Sequence, residues 1–139
     1  MTRDYARMPA PGLDDFHAMA EDAYAGLPEE FRALTRDIRI RVEDFAEADV
    51  LRELGIDNEF ELMGLFQGVG LAQDNAVPMT GQMPNMVTLY RRPILDYWCE
   101  HEETLGHVIT HVLIHEIGHH FGLSDEDMEA IEAAADAPA

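Results

Sequence analysis

The segment HEIGHHFGLSD, residues 115–125, decides the fold of this chain because it combines a metal-binding spacing with a helix stop. His115 and His119 are four residues apart, so on a helix both imidazoles project from one face, about one turn apart. Their nitrogens can then reach one zinc ion at ~2.0–2.1 Å. Glu116 is rotated by ~100° from His115. We expect it to lie beside the ion without binding it, where a glutamate can act as a general base on water.

Gly122 is expected to end this helix, because glycine readily adopts the left-handed conformation that reverses the chain. Such a reversal would return Asp125 to the ion as a third ligand, and zinc accepts a carboxylate oxygen beside two imidazoles. Three protein ligands leave a fourth position for water, which is the pattern of catalytic zinc sites. Two alternatives stay open. Asp125 is only an acidic first-turn residue favoured by a helix dipole, or the whole segment is a histidine-rich surface helix without a metal.

Neighbouring histidines extend the same four-residue spacing toward the start of the helix, at His107 and His111. His111 is a supporting neighbour of the ligands, an alternative ligand, or a polar side chain on a half-exposed face. His120 is rotated by ~100° from His119, and a structural role suits it better than a functional one. Hydrolysis at a zinc site also needs a hydrogen-bond donor for an oxyanion. The sequence offers two candidates and selects neither, Tyr90 and Tyr97.

Size and charge narrow the possible functions. The chain has 139 residues, enough for one domain with a real core. Nine basic residues against 28 acidic ones give a formal net charge of −19. This charge repels nucleic acid and anionic membrane surfaces, whereas it attracts divalent cations and basic peptides or proteins. The plain alternative is that the charge only keeps the protein in solution.

The sequence contains no recognisable export or membrane signal. Residues 1–12 lack the apolar core of a signal peptide, and no stretch approaches the ~18 apolar residues of a membrane span. A single cysteine, Cys99, excludes an intramolecular disulfide framework. We therefore expect a cytoplasmic protein, and the sequence leaves its oligomeric state open.

Hydrophobic periodicity divides the chain into a flexible arm, residues 1–12, and one domain, residues 13–135. Three strands are predicted, at residues 37–44, 60–67 and 85–90. Helices are predicted at about 13–24, 29–34, 46–54 and 103–121, and a capping box of Ser124 and Asp127 predicts a last helix. The residues between 93 and 103 are expected to form a connection, and 68–84 a long loop that overhangs the site as a flap.

The three strands are expected to form a mixed sheet in the spatial order first, third, second. The first and third segments are richest in β-branched residues and therefore suit more internal places. The second contains Gly64, which is tolerated better at an edge. We expect the first and third strands to be parallel, and the second to be antiparallel to them beside the motif helix. An edge strand in that place leaves unpaired backbone groups with which an extended peptide can pair.

Three longer stretches carry a family resemblance. HEIGHHFGLSDEDM (115–128), preceded by ELMGLFQGVGL (61–71) and MPNMVTLYRRPI (83–94), resembles the minimal zincin-like metallopeptidase family of bacteria. The resemblance covers about residues 27–132. It implies an α+β domain in which a small mixed sheet of three to four strands packs against helices that include the motif helix.

The resemblance also implies a site and an activity. Zinc is bound by His115, His119 and Asp125, with Glu116 as the base, in a cleft between the edge strand and the motif helix. The expected function is zinc-dependent hydrolysis of peptide bonds in a peptide or protein substrate.

One departure from larger peptidases with this motif favours an alternative. Only 14 residues follow Asp125, where those enzymes have a subdomain with a methionine-bearing turn. Met128 comes too early for that turn and is expected in the core of the last helix. The alternative is therefore a metal-stabilised protein-binding module with little or no peptidase activity, although Glu116 argues against it. Zinc storage through the row of histidines is a third possibility.

Overall fold

The computed structural model describes residues 4–35, 38–68 and 85–136. The α-helices in this part of the chain are α1 (Leu13–Ala25), α2 (Glu29–Arg32), α3 (Ala48–Leu54), α4 (Arg91–Glu100), α5 (Leu105–His120) and α6 (Asp125–Asp136). The strands are β1 (Arg39–Glu43), β2 (Gly64–Gln67) and β3 (Met86–Tyr90). Three short 3-10 turns lie at Tyr5–Arg7, Ala33–Thr35 and Glu59–Glu61. No helix among these residues is both long enough and apolar enough to cross a membrane.

The three strands form one mixed sheet in the order β1-β3-β2. β1 pairs with β3 in parallel, with Ile40 opposite Val87, and β2 pairs with β3 antiparallel, with Phe66 opposite the same valine. The predicted order, the strand directions and the edge position of β2 are confirmed. The expectation of a small α+β domain with a mixed sheet is confirmed with them.

The central place of β3 follows from its sequence. Val87 and Leu89 are fully buried, and Thr88 and Tyr90 between and after them are buried as well. A strand whose successive residues are all buried must be covered on both faces, as central strands are. β1 alternates instead, with Ile40 buried between exposed arginines, as a strand with one covered face does.

Helix α5 is the main support of the sheet. It packs against β2, β3, α1, α4 and α6. Its apolar positions Ile109, Leu113, Ile114 and Ile117 are fully buried. The histidines occupy the remaining, half-exposed part of the helix surface. Burial of this apolar stripe therefore determines which way the histidine face points.

The connection predicted between residues 93 and 103 is wrong, because the structure has the ten-residue helix α4 there. Pro93 is the third residue of that helix. The first four N–H groups of a helix have no partner within it, so a proline there removes no hydrogen bond. Ile94 and Trp98, four residues apart, both join the hydrophobic core.

The predicted second strand is too long at its start. Glu59–Glu61 form a 3-10 turn in which the Asn58 side chain accepts a hydrogen bond from the Phe60 N–H at 3.0 Å. Phe60 then packs edge-to-face on Phe45, with ring centroids 5.0 Å apart. Local capping by the asparagine therefore competes successfully with strand formation.

Two predictions, the N-terminal arm and the flap, are not tested by the described residues. Residues 4–12 include the turn Tyr5–Arg7, and the Arg91 side chain donates to the Pro11 carbonyl at 2.7 Å. The boundary between an arm at 1–12 and a domain at 13–135 stays a prediction. The flap predicted at 68–84 lies outside the described residues, apart from its first residue.

Gly64 sets the distance between the edge strand and the motif helix. A Cβ on this residue would lie 2.8 Å from Val112 Cγ1 and 3.1 Å from Glu116 Cγ. The first distance is shorter than real Cβ contacts and the second is tight, so a larger residue would force β2 and α5 to shift apart. The glycine expected to be tolerable at an edge is thus required there by packing.

We predict that Gly64→Ala destabilises the fold by ~1–3 kcal/mol, the usual cost of forcing extra atoms into a packed site. The measurement is urea unfolding followed by circular dichroism. The matched control is Gly106→Ala in α5, where an added Cβ meets nothing within 4 Å. Alanine favours a helix over glycine by up to ~1 kcal/mol, so this control is expected to be neutral or stabilising. Equal effects of both variants would contradict the packing argument.

Candidate metal centre

The helix that carries the motif is well defined at both ends. The Thr104 side chain accepts from the His107 N–H at 3.1 Å and caps its start. At its end Gly122 has φ +78°, and the Leu123 N–H donates to the Gly118 carbonyl at 2.9 Å. This is a Schellman arrangement, which closes the helix and reverses the chain. The predicted reversal at Gly122 is confirmed.

The helix that follows starts with the predicted capping box. The Asp127 N–H donates to Ser124 Oγ at 3.1 Å, and the Ser124 N–H donates to Asp127 Oδ2 at 3.3 Å. Asp125 is therefore the first residue of α6. The exchange of hydrogen bonds holds the start of α6 in register with the end of α5, which is where a returning carboxylate is needed.

The structure places the three predicted ligands along the facing surfaces of α5 and α6. The rings of His115 and His119 are nearly perpendicular, with centroids 5.7 Å apart. Asp125 Oδ1 lies 4.0 Å from His119 Nε2. The side chain of Asp125 is 87% exposed and that of His119 is 61% exposed. The chain reversal thus returns Asp125 to the histidine face, at the solvent side of the site.

A second group of potential ligands is more compact. It contains Glu132, which the sequence reasoning missed. Among the described residues, potential ligand atoms of His111, His115 and Glu132 all lie within 4.8 Å of one another. Glu132 Oε1 is in close contact with His111 Nδ1, and Glu132 Oε2 lies 3.9 Å from His115 Nε2. The Glu132 side chain is only 18% exposed. One signal was available: Glu132 follows Asp125 by seven residues and so shares its face of α6.

The donor atoms at this centre fit zinc. His115 Nε2 is buried and has no hydrogen-bond partner. A buried polar atom without a partner is costly, and a bound cation would supply the missing interaction. Burial, together with the neighbouring His111, lowers the pKa of His115. The imidazole is thereby kept in the neutral form that binds metals.

Glu116 faces the edge strand from α5. Its Cγ is the atom that would meet a Cβ on Gly64. Burial raises the pKa of this carboxyl to about 7 from its ordinary value of 4.5. A carboxyl with this pKa changes its protonation near neutral pH, which is the property required of a general base that later becomes an acid.

The two candidate oxyanion donors, Tyr90 and Tyr97, lie in different surroundings. Tyr90 is buried at the end of β3, where burial, Glu43 and other nearby charges raise its pKa. Tyr97 donates to Glu103 at 3.4 Å and stacks on His101. The first lies in the core, as expected of a strand residue. The second has its contacts on α4 and the turn after it.

His120 belongs to an aromatic group at the end of the edge strand. Its ring lies 4.2 Å from that of Phe66 and 5.2 Å from that of Phe121. Burial lowers its pKa, so the ring is held neutral. His120 Nε2 is buried without a hydrogen-bond partner. The contacts of this ring are those of a packing residue.

The distance between α5 and α6 is set by Gly118 and Met128. Met128 is fully buried, which confirms its expected place in the core of the last helix. Its Sδ would lie 2.6 Å from a Cβ on Gly118. The thioether therefore occupies the space that the glycine leaves. The carboxylates of α6 reach the histidine face because the two helices approach this closely.

We predict that in the metal-free protein Glu116→Gln raises the free energy of unfolding at pH 8 and raises it much less at pH 5. The pKa of this carboxyl is higher in the folded chain than in the unfolded chain. The unfolded chain therefore loses the proton first, and stability falls as the pH rises from about 4.5 to 7. Glutamine removes this loss, an effect of about 3 kcal/mol at pH 8.

Urea unfolding with a chelator present, at both pH values, measures this effect. Glu129→Gln, on an exposed position of α6, is the control for loss of a negative charge. The same gain at pH 5 and pH 8 would show that the carboxyl of Glu116 ionises normally.

A family model for the zincin-like metallopeptidases matches residues 35–135. A search of curated proteins found no match to the chain. The matched range includes the whole sheet, the motif helix and nearly all of α6, and it spans well over half of the chain. The chain therefore belongs to the zincin-like metallopeptidase family.

Proposed function

We propose that this protein hydrolyses peptide bonds with one zinc ion bound by His115, His119 and Asp125, and with Glu116 as the general base. The observation that carries the proposal is the position of Glu116. It is half-buried beside the edge strand, with its pKa raised to about 7, and it directly follows His115, whose Nε2 is buried without a hydrogen-bond partner. A glutamate in a purely structural zinc site has no need of this environment.

The positions of the ligands and of Glu116 suggest separate chemical roles for the metal and the base. A zinc ion bound at such a site supplies Lewis acidity, which makes water more acidic and polarises a carbonyl group. Glu116 accepts the proton of the attacking water on its carboxylate. It later donates that proton to the nitrogen of the leaving amine. The low exposure of this carboxyl keeps bulk water from competing for the proton.

The edge strand offers a binding place for the substrate. β2 pairs with β3 on one side, and no other described strand pairs with it. Backbone N–H and C=O groups along its other side can therefore pair with an extended peptide. Gly64 is the first residue of β2, and a Cβ on it would lie 3.1 Å from Glu116 Cγ. A peptide added to this edge would thus run beside the proposed base.

Charge suggests the kind of substrate. The net charge of −19 favours basic peptides or proteins, and disfavours nucleic acid and anionic membranes as partners. We also propose a cytoplasmic location, in keeping with the single cysteine in the sequence.

A second candidate function is a zinc-stabilised binding module without peptidase activity. One observation favours it: Glu132 Oε2 lies 3.9 Å from His115 Nε2. A fourth protein ligand would occupy the position that catalytic zinc sites keep open. Glu116, with its raised pKa, favours the hydrolase.

We predict that His115→Ala abolishes zinc binding, since both candidate groups of ligands contain this residue. Asp125→Ala is expected to weaken binding by at least about tenfold while leaving a measurable site. The matched control for the latter is Glu126→Ala, an exposed neighbour on the same helix turn. Native mass spectrometry gives the stoichiometry, and competition with a chelator gives the affinity. A fully retained affinity in Asp125→Ala would show that the chain holds the ion equally well without this residue.

We also predict that Glu116→Gln keeps the zinc and the fold but lowers hydrolysis by about 10²–10⁴-fold, because only proton transfer is lost. Digestion of a broad peptide library that includes basic sequences measures the activity, with Glu129→Gln as control. Loss of zinc together with activity would identify Glu116 as a ligand. No cleavage by the wild-type protein would favour the binding module.

A further inference from the structure

Two carboxylates of α6 face the row of histidines on α5. Asp125 and Glu132 are seven residues apart, which is about two turns or ~10 Å along a helix. Asp125 lies beside His119, and Glu132 lies beside His115 and His111. α6 therefore runs back along α5, and the acidic positions of one helix match successive histidine positions of the other. The proposed zinc site uses the pairing of Asp125 with His119 and makes no use of Glu132.

We propose that His111, His115 and Glu132 form a second site for a divalent cation such as Zn²⁺, which overlaps the first site by sharing His115. The residues His115, His119 and Asp125 are called the first ligand set below. The residues His111, His115 and Glu132 are called the second ligand set. The inference rests on the proposed function for the first set, and it is new in assigning His111 and Glu132 as ligands.

The contacts of the second ligand set are those of a metal site. The Glu132 carboxylate lies between two imidazoles, one oxygen against His111 Nδ1 and the other toward His115 Nε2. The two rings are stacked, with centroids 4.0 Å apart. Two imidazoles and a carboxylate are a donor set that zinc accepts. Ligand atoms around one tetrahedral zinc lie ~3.3 Å apart, so side-chain shifts of about an ångström would complete the geometry.

The carboxylates of Glu132 and Asp125 differ in their exposure to solvent. The Glu132 side chain is 18% exposed, whereas that of Asp125 is 87% exposed. A carboxylate held away from water binds a cation more strongly, because the interaction is screened less. The second ligand set is thus gathered before any ion arrives, while Asp125 must be brought in from solvent.

The shared histidine makes the two sites exclusive. His115 faces Glu132 with Nε2, the nitrogen that the first ligand set also requires. One imidazole nitrogen binds one ion, so the chain holds a single ion in either of two positions. An ion in the second position leaves His119 and Asp125 without metal. The second site would therefore keep zinc in the protein in a resting position.

The competing explanation is structural. Glu132 and His111 form a close polar contact between α5 and α6, and such a pair can hold two helices together without a metal. His119→Ala separates the explanations, because it removes a ligand of the first set and leaves the second set complete. The His119 side chain is largely exposed, so this variant is expected to fold.

The experiment adds one equivalent of Zn²⁺, without substrate, to His119→Ala protein labelled with ¹⁵N. We expect one bound ion, with changed imidazole nitrogen resonances at His111 Nδ1 and His115 Nε2. Adding Glu132→Gln to this variant should weaken zinc binding by at least about tenfold and remove the change at His111. Adding Glu129→Gln, on an exposed position of the same helix, should do neither.

An unchanged His111 resonance in zinc-bound His119→Ala would overturn the proposal. Equal zinc affinities of the Glu132→Gln and Glu129→Gln double variants would overturn it as well. Weaker binding through Glu132→Gln without any response of His111 would make Glu132 a fourth ligand of the first set, which also overturns it. Failure of the proposed function is seen separately, as absence of peptide cleavage by the wild-type protein.

Discussion

Helix α5 lies so close to the edge of the sheet that a Cβ on Gly64 would come within 2.8 Å of Val112. The apolar stripe of the helix, which includes the fully buried Leu113, Ile114 and Ile117, is held against the core by this approach. The histidine face is then turned outward, and Glu116 is trapped between helix and strand. The raised pKa of Glu116 is thus a consequence of how tightly the helix packs on the sheet.

On its other side, the motif helix α5 approaches α6 equally closely. Gly118 makes room for Met128, which seats α6 against α5. The Schellman turn at Gly122 and the capping box of Ser124 determine where α6 begins. Since rigid helices transmit a small displacement along their whole length, these few contacts set the distances of both Asp125 and Glu132 from the histidines.

The chemistry of the centre follows from unequal burial. Glu116 and Glu132 are screened from water by packing, whereas Asp125 and His119 stand in solvent. Ionisation of a buried carboxyl costs free energy unless a cation is near. The free energy that the metal-free fold loses at Glu116 is therefore recovered when positive charge is close. In the proposed zinc-bound state, zinc affinity, stability and proton transfer would therefore be coupled through α5.

The sequence by itself determined the features that depend on local spacing and on hydrophobic pattern. The pair of His115 and His119 on one helix face, the stop at Gly122 and the order of the strands are of this kind, because periodicity specifies faces and burial. Tertiary structure alone decided the contact of His111 with Glu132, since it joins residues 21 apart through the packing of α6 on α5. It also decided the pKa of Glu116, which depends on the neighbouring strand. Helix α4 was not predicted: residues 93–103 were expected to form a connection, although Pro93 lies at the start of a helix, where it costs no hydrogen bond.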